Sequence, residues 1–495
     1  MSPNASDLGL AITLPAPGSR QMGRDLHRQL RSAIVGGRLR PGLRLPATRE
    51  LAAGLGVSRN IVVGAYDLLL SEGYVSARGR GGTVVADFLS APSRRERLRS
   101  QPGRDARLSA AWRAAAPITP ASVEAGRRFD FSIGVPDWES FPLQVWRRLA
   151  ARALRATPRI GASYSEPEGR AALRQAIAGH ISFARAIACT AEDIVVTAGA
   201  QQAFDLLARI LVTPGKTTVA VEDPGYLSLR NVFAAAGARL VYVPVDVDGL
   251  RVDRLPPNTK VICVTPSHQY PLGVRLSLAR RTALLDFARA HDAVIVEDDY
   301  DGEFRYIGKP LDALQTLDRA QSVFYVGTFS KSMFPALRLG FVIAPPWARN
   351  ALSAAKQLCD WHAPLVAQDI LSAFIAEGHL ARHVRKMSRI YGERREILEN
   401  ALERFCGDHL RAVGIGAGLH LAAYLTHPTS ASTLIARARD AGVWLNDWQQ
   451  FAPKTRKTQG LVFGYGVMHS REIPDAVRRL AKVMTARQAP RDALR

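Results

Sequence analysis

Lys331 lies among side chains that could together bind an aldehyde carrying a phosphate. Thr328, Ser330 and Ser332 surround it, and Arg338 follows seven residues later. A lysine amine forms a Schiff base with an aldehyde, while hydroxyls and a guanidinium hold a phosphate. Pyridoxal phosphate (PLP) has both groups, so the stretch indicates a PLP site. A lysine near serines is usually a solvated loop, so this interpretation depends on the rest of the chain.

Carboxylates follow an apolar run at residues 293–296. Glu297, Asp298 and Asp299 come directly after it, and Tyr300 is next. Open α/β sheets bind ligands at the carboxyl ends of their strands. There a carboxylate could keep a pyridine nitrogen protonated, which makes the ring an electron sink, and a tyrosine hydroxyl could bond the phenolic oxygen of the ring. The alternatives for these acids are a metal site or helix caps.

A turn of small residues follows another apolar run. Residues 194–197 read as a buried strand, and Gly199, Ala200 and Gln201 then open a helix. Free N–H groups and the positive end of the dipole make a helix N-terminus an anion site. Further strands are predicted at 218–222 and 261–265. Strands alternating with amphipathic helices predict an α/β fold with a largely parallel sheet.

The first part of the chain has the pattern of a helix-turn-helix. Apolar spacing predicts a helix over residues 24–35. Thr48 is predicted to cap a short helix through Gly54, and Ser58 a second one over residues 59–72. Such a second helix presents its N-terminal side chains to the DNA major groove. Here those side chains are Arg59 and Asn60.

A β-hairpin wing is predicted over residues 76–85, with Arg78 and Arg80 at its glycine tip. The net charge of the chain is +22, and residues 1–128 contain 20 arginines, no lysine and nine acidic residues. This excess indicates a polyanionic partner, although part of it could reflect the composition of a GC-rich genome. Residues 87–128 lack a sustained apolar period and are predicted to be a basic linker.

The cysteine pattern and the hydropathy exclude several classes of protein. The four cysteines are scattered, without a CxxC motif, which favours free thiols over a disulfide frame or a zinc site. No signal peptide and no apolar run of membrane-spanning length are present. We therefore expect a soluble, cytoplasmic protein without a metal.

The segment GRLRPGLRLPATRELAAGLGVSRNIVVGAYDLLLSEGY, residues 37–74, resembles the winged helix of the GntR regulator family. The resemblance implies that a dimer binds double-stranded operator DNA. It implies that Arg49 and Arg59 contact bases or phosphates. The sugar-phosphate backbone of the DNA would be contacted by Ser58, Arg44 and the wing, which includes Arg80.

Residues 129–485 resemble the fold-type I aminotransferases, through GAQQ, DPGY, TPSHQYPLG, EDDYDGEFRY and TFSK in this order. The fusion resembles the MocR/GabR subfamily of transcriptional regulators. It implies Lys331 as the Schiff-base lysine, Asp298 at the pyridine nitrogen, Tyr300 at the phenolic oxygen and Tyr226 stacked on the ring. Tyr164 would reach the phosphate from the other subunit of a homodimer. The other phosphate contacts would come from Gly199, Ala200, Gln201, Thr328, Ser330 and Arg338.

The chain departs from the aminotransferase pattern where substrate is held. Tyr270 stands at the place of a ring-binding asparagine. No arginine stands just after Tyr226, where the pattern expects one, and Arg230 is the first arginine to follow. The predicted strand at 460–464 also lacks the arginine expected there. Missing arginine clamps weaken the case for turnover of α-amino acids, unless Lys454, Arg456 or Lys457 replaces them.

These patterns predict an α/β protein with three regions. They are a winged helix-turn-helix domain (1–86), the linker (87–128) and a PLP-dependent fold-type I aminotransferase-like domain (129–495) with a smaller C-terminal α+β subdomain. The favoured hypothesis is a DNA-binding regulator that senses a small amine, an amino acid or PLP itself. The alternatives are an aminotransferase with an auxiliary DNA-binding domain, and a DNA-binding dimer in which the second domain is only a scaffold.

Overall fold

The computed structural model divides the chain into two compact units, residues 1–109 and 110–495, with the division inside the predicted linker. The residues it describes are 12–15, 19, 21–77, 82–86, 107, 109, 112, 127–156, 163–306, 312–414, 416–427, 430–454 and 459–485. Most of the predicted linker and the tip of the wing, including Arg80, lie outside them. Within the described ranges, no helix combines the length and the apolar character needed to cross a bilayer.

The first unit is a winged helix. Its elements are α1 (Met22–Val35), α2 (Thr48–Leu55), α3 (Arg59–Ser71), β1 (Val75–Ala77) and β2 (Thr83–Val85). The two strands pair antiparallel, as the predicted wing requires.

Apolar residues at helical spacing form the core of the first unit. Leu26 and Leu30 of α1 are fully buried, together with Val62 and Leu69 of α3. Burying leucine and valine side chains is the main source of stability for so small a unit. The helix ends before Gly37, whose φ of 72° is in the left-handed region that glycine adopts freely.

Of the two predictions about helix caps, the one for Thr48 is wrong, and the one for Ser58 is confirmed for the residue but not for a hydrogen bond from its side chain. Thr48 does not cap α2, because the N-cap is Ala47, whose amide donates to the Glu50 carboxylate at 3.0 Å. Ser58 occupies the N-cap of α3, but its hydroxyl makes no cap hydrogen bond. A carboxylate three residues into a helix can satisfy the first free N–H group, so α2 is capped from inside its first turn.

The second unit is built from strands and helices in alternation. Its strands are β3 (Phe129–Asp130), β4 (Ile194–Thr197), β5 (Thr218–Asp223), β6 (Arg239–Asp246), β7 (Gly249–Leu250), β8 (Thr259–Val264), β9 (Val294–Asp299), β10 (Val323–Thr328), β11 (Gly340–Ile343), β12 (Leu410–Val413), β13 (His420–Leu425), β14 (Val443–Trp444), β15 (Asn446–Asp447) and β16 (Gly460–Gly464). Its helices are α4 (Leu143–Ala156), α5 (Ala171–Arg185), α6 (Ala200–Leu211), α7 (Leu227–Ala235), α8 (Leu278–Ala290), α9 (Leu314–Leu317), α10 (Arg349–Asp360), α11 (Leu365–Ala376), α12 (His379–Cys406), α13 (Ala431–Asp440) and α14 (Ile473–Thr485).

The large sheet has eight strands in the order β4-β11-β10-β9-β8-β5-β6-β7. Only β11 and β7 run antiparallel to their neighbours, so the predicted largely parallel sheet is confirmed. Both faces are covered by apolar side chains. Ile194 and Val196 pack into one core cluster, while Val195 between them packs into another, as the alternation of side chains along a strand requires.

A smaller antiparallel sheet, β12-β13-β16-β15, forms the C-terminal α+β part. The long helix α12 and the terminal helix α14 pack together beside it, with Leu398, Leu421, Phe463 and Val477 in a common core. This sheet lies next to His268, because the ring of His420 on β13 packs against the His268 ring with 4.8 Å between the centroids.

Candidate functional site

Lys331 lies three residues after β10 and contacts a residue that the sequence did not predict. Its Nζ donates a hydrogen bond to the carbonyl oxygen of Gly134 at 2.6 Å. A Cβ at Gly134 would approach this Nζ to 2.8 Å, at a φ of +75° that disfavours side chains. Burial lowers the pKa of Lys331, while Asp301 and Asp298 oppose the shift. The fold thus favours a neutral, nucleophilic amine more than free lysine does.

Asp298 is buried and presents an oxygen that needs a donor. Its Oδ1 has no hydrogen-bond partner in the described part of the chain. Burial raises its pKa far above the usual range, and the carboxylates of Asp299 and Asp301 add to this. A buried acceptor without a donor costs about 1–3 kcal/mol. A protonated pyridine nitrogen would supply both the donor and the compensating charge.

Asp299 faces the opposite side of the sheet. Its Oδ2 pairs with Arg185 Nε at 2.7 Å and accepts a hydrogen bond from the Tyr325 hydroxyl at 2.6 Å. Successive residues of a strand point to opposite faces. The two aspartates therefore have separate surroundings, and the acids lie within β9 rather than after it, because β9 extends to Asp299.

Tyr300 is connected to a buried histidine. Its hydroxyl donates to the carbonyl oxygen of His268 at 2.9 Å, and Asp301 Oδ2 lies 2.9 Å from His268 Nδ1. Burial lowers the pKa of His268 to about 3, and Arg395 adds to the shift, so the imidazole stays neutral at neutral pH. His268 fits the structural hydrogen-bonding role predicted for it, and it holds the Tyr300 ring in place.

Gly199 and Arg338 meet at the start of α6. Arg338 Nη2 donates to the carbonyl oxygen of Ala198 at 2.5 Å. Gly199, with a φ of 78°, is the N-cap of α6, and a Cβ there would lie 3.0 Å from Arg338 Nη1. Ala200 and Gln201 form the first turn of the helix, where N–H groups are free. The structure thus brings together four of the residues predicted to bind the phosphate.

The hydroxyls predicted to share this phosphate lie at the end of β10. Thr328 Oγ1 donates to Ser330 Oγ at 3.0 Å and accepts from the Ser330 amide at 3.2 Å. Ser332 is 1% exposed, and its Oγ has no partner within the described ranges. These groups can donate to phosphate oxygens.

Gly199→Ala should weaken PLP binding several-fold. The added methyl would lie 3.0 Å from the Arg338 guanidinium, and the backbone angles there (φ 78°, ψ 177°) are essentially restricted to glycine and cost alanine about 1–3 kcal/mol. Titration of the apo-protein with PLP, followed by absorbance, measures the effect. The control is Gly179→Ala on α5, where nothing lies within 4 Å of the new methyl. Equal affinity of wild type and Gly199→Ala would remove Gly199 from the predicted phosphate contacts.

Aromatic rings line the approach to these groups. Tyr226 is 5.3 Å from Tyr270 between ring centroids, and Tyr270 is 5.1 Å from Phe451 and 5.8 Å from Tyr300. Burial raises the pKa of Tyr226, an effect to which Asp298 adds and which Arg338 opposes. Tyr270 stands where the aminotransferase pattern has a ring-binding asparagine, and it has no side-chain amide to make that contact.

Tyr164 lies on the surface, 73% exposed, and does not join this group within one subunit. Its ring stacks on Trp361 at 4.5 Å. The prediction that it reaches a second subunit remains a prediction.

The predicted DNA-contacting residues form an exposed set on the winged helix. Arg44, Arg49 and Arg59 make no ion pair with any described residue. Arg59 Nε lies 3.5 Å from Thr48 Oγ1, across the turn between α2 and α3. Arg44 forms an isolated antiparallel β-bridge with Val84 of β2. Ser58 and Asn60 flank Arg59 at the exposed start of α3.

The residues of the second unit fit PLP in three respects. The buried Oδ1 of Asp298 has no donor among the described residues, and the amine of Lys331 is buried. At Gly199, the nearby Arg338 guanidinium leaves no room for a side chain. Sequence reasoning missed the Gly134 carbonyl. No signal pointed to it, because 197 residues separate Gly134 from Lys331.

Two family descriptions match the chain. Residues 23–85 match the bacterial regulatory proteins of the gntR family, and residues 128–452 match the class I and II aminotransferases.

Relatives and solved structures match along most of the chain. The probable rhizopine catabolism regulatory protein MocR of Rhizobium meliloti is 35% identical over 472 residues, 94% of each chain. The pyridoxine biosynthesis transcriptional regulator PdxR of Corynebacterium glutamicum is 34% identical over 468 residues, 93% of this chain and 95% of its own. The α-aminoadipate aminotransferase LysN of Thermus thermophilus, solved with N-(5'-phosphopyridoxyl)-L-leucine, is 29% identical with a TM-score of 0.66, covering 72% of this chain and 91% of its own.

Proposed function

Given that the chain belongs to the MocR/GabR subfamily of GntR-type transcription regulators, we propose that its aminotransferase-like unit binds PLP at Lys331 and senses a small amine, an amino acid or PLP itself. The observation that carries the proposal is the buried Oδ1 of Asp298, which has no donor among the described residues. When bound, PLP supplies an aldehyde carbon open to amines and a ring that accepts electrons.

Each residue of the site has a separate task in this proposal. Asp298 would hold a proton on the pyridine nitrogen. The Tyr300 hydroxyl, which donates to the His268 carbonyl in the structure, would turn its single proton to the phenolic oxygen when the cofactor is bound. Tyr226 covers one face of the ring and excludes water. The phosphate is bound by Arg338 and the first turn of α6, with help from the hydroxyls at the end of β10.

Lys331 gives the site its response to amines. Lys331 would hold the aldehyde carbon of PLP through its amine, and an effector amine would compete with Lys331 for that carbon and leave the lysine amine free. Free Lys331 donates to the Gly134 carbonyl, as it does in the structure at 2.6 Å. Such a ligand can shift a conformational equilibrium only by its difference in affinity for the two states. Regulation therefore needs no net turnover.

We further propose that the regulator acts as a homodimer in the cytoplasm, with Tyr164 completing the site of the other subunit. The exposed, stacked ring of Tyr164 supports this role. Arg49 and Arg59 contact operator bases or phosphates, and Arg44, Ser58 and Asn60 bind nearby. Arg80 belongs to the same proposed interface.

A second candidate is an aminotransferase with an auxiliary DNA-binding domain. The complete set of Lys331, Asp298, Tyr300 and Arg338 favours it, while the missing arginines at positions 227, 228 and 460–464 oppose it. Release of a keto acid on incubation with an amino acid distinguishes an enzyme from a sensor.

The test is binding of the purified apo-protein to DNA upstream of its own gene, with and without PLP. A large change in affinity on PLP alone identifies PLP as the effector, which the 34% identity to a regulator of pyridoxine biosynthesis supports. If PLP binds without a change, the effector is an amine that alters the absorption of the bound cofactor. If the protein binds neither PLP nor this DNA, the proposed function is wrong.

A further inference from the structure

Among the described residues, His268 makes its side-chain hydrogen bonds through one ring nitrogen. It lies four residues after β8 and is 2% exposed. Its Nδ1 lies 2.9 Å from Asp301 Oδ2 and 3.0 Å from the Tyr300 hydroxyl oxygen. Its Nε2 is buried and has no hydrogen-bond partner in the described ranges. Nδ1 is therefore the nitrogen through which this imidazole acts on its surroundings.

The contacts of His268 decide which ring nitrogen carries its proton. Burial lowers the pKa of this imidazole to about 3, and Arg395 of α12 adds to the shift. Burial also lowers the pKa of His420, whose ring centroid lies 4.8 Å away. Near pH 7 the His268 ring is thus neutral and has one N–H group. A buried N–H group without an acceptor is costly, and the acceptors Asp301 and Tyr300 are both at Nδ1. The proton therefore lies on Nδ1.

The Asp301 carboxylate keeps the proton on that nitrogen. Burial and the neighbouring carboxylates raise the pKa of Asp301, whereas the Lys331 amine and the Leu419 amide stabilise its charged form. A protonated Asp301 would donate to Nδ1 and would leave the imidazole N–H on Nε2, where no acceptor lies among the described residues. The unpaired Nε2 thus favours a carboxylate at Asp301 that accepts from Nδ1.

A proton on Nδ1 restricts what the Tyr300 hydroxyl can do. A hydroxyl has one proton and two lone pairs. It cannot donate to a nitrogen that already carries a proton, so at 3.0 Å it accepts from Nδ1, which shares its N–H with Asp301. Its own proton is then donated elsewhere, and in the structure it goes to the His268 carbonyl oxygen at 2.9 Å.

We propose that Asp301 and His268 are positioning residues for Tyr300. Because Asp301 holds the proton on Nδ1, the His268 imidazole only donates to the Tyr300 hydroxyl, and this directs the hydroxyl proton to the phenolic oxygen of PLP. The inference rests on the proposed function, since it needs PLP bound at Lys331. It goes beyond the Tyr300 contact itself by naming the pair of residues that sets the direction of that contact.

The direction of the Tyr300 proton can be measured through the colour of the bound cofactor. The nitrogen that joins Lys331 to PLP loses a proton as the pH rises, and the absorbance changes with it. The phenolic oxygen has its full negative charge only after this loss, so a hydrogen bond donated to it lowers the midpoint pH of the change. Such a hydrogen bond to a charged oxygen corresponds to about one pH unit.

The experiment is a pH titration of the absorbance of the full-length, PLP-loaded protein in a double-mutant cycle. Tyr300→Phe should raise the midpoint by about one pH unit, because it removes the hydrogen bond. In Asp301→Asn the asparagine oxygen accepts from the Leu419 amide and its NH2 group faces Nδ1, which moves the imidazole proton to Nε2. The Tyr300 hydroxyl then donates to Nδ1, so adding Tyr300→Phe should shift the midpoint by less than about 0.3 units.

Glu303→Gln is the control background, because Glu303 is a carboxylate two residues from Asp301 that makes no hydrogen bond to His268. In this background Tyr300→Phe should keep its full shift. If Asp301→Asn fails to fold, nitrogen NMR of the histidines, with His268→Phe to assign the signal, should find the proton on Nδ1. A proton on Nε2, an equal shift in all three backgrounds, or no shift from Tyr300→Phe in the wild type overturns the inference and leaves PLP binding intact. If PLP forms no coloured, reducible adduct, the proposed function is wrong and the inference with it.

Discussion

Lys331→Ala should abolish the borohydride-reducible absorbance of the PLP-loaded protein, together with every spectral response to amines. No other described lysine can replace it, because Lys331 alone is placed beside Asp298, Asp301 and the Gly134 carbonyl. Affinity of the apo-protein for operator DNA should stay within about twofold of wild type, since the winged helix has its own core. Reduction with borohydride, absorbance titration and DNA binding measure the three effects.

Lys216→Ala is the matched control, because Lys216 is exposed and its side chain makes no hydrogen bond or ion pair with a described residue. It should leave the absorbance and the DNA affinity unchanged. Persistence of a reducible adduct in Lys331→Ala would show that another lysine binds the aldehyde. Loss of all operator affinity in this variant would show that the two units do not function separately.

Arg59→Ala should weaken operator binding on the order of 10- to 100-fold, the range for losing a bidentate contact to a base. Arg59 is the first residue of α3, is exposed and has no carboxylate partner among the described residues. The absorption spectrum with PLP should not change. If Arg59 contacts a phosphate instead, the loss will be similar for all sequences, and the log–log slope of affinity against salt will fall by about 0.9.

Arg38→Ala is the control for Arg59→Ala. Arg38 is an exposed arginine of the same unit, outside the helix-turn-helix, and its substitution removes the same charge. Only Arg59→Ala should alter affinity for the operator by more than about threefold relative to unrelated DNA. Equal effects of both substitutions would reduce the role of Arg59 to general electrostatic attraction.

The fold could be predicted largely from the sequence because its signals are local. Apolar periodicity located α1 and α3, and the apolar runs located β4, β5, β8 and β9. Strand and cap boundaries were less predictable. Whether Thr48 or Glu50 satisfies the first amide of α2 depends on side-chain geometry rather than residue type. The strand β9 includes its acids because Arg185 and Tyr325 stabilise Asp299 inside the sheet.

The candidate site was predictable only where it consists of short motifs. The spacing of Asp298 and Tyr300 is a local property, and the structure places Asp299 apart from them on the other face. The contact of Lys331 with Gly134 joins parts of the chain that are 197 residues apart. No pattern in a single sequence specifies such pairs, since loops of any length can bring two residues together at little extra entropic cost.

The hydrogen bond between Lys331 and Gly134 has a consequence for how a ligand signal leaves the site. Gly134 lies four residues after β3, the first strand of the second unit. The start of this unit is also held by the pairing of β3 with β14, by the bond from the Gly464 amide to the Phe131 carbonyl and by the bond from the Asp137 amide to the Tyr391 hydroxyl. The bond to Lys331 is one of several on this segment, and it needs a free lysine amine. We therefore expect a chemical exchange at one nitrogen to remove one bond from the segment between β3 and α4 while its other contacts stay in place.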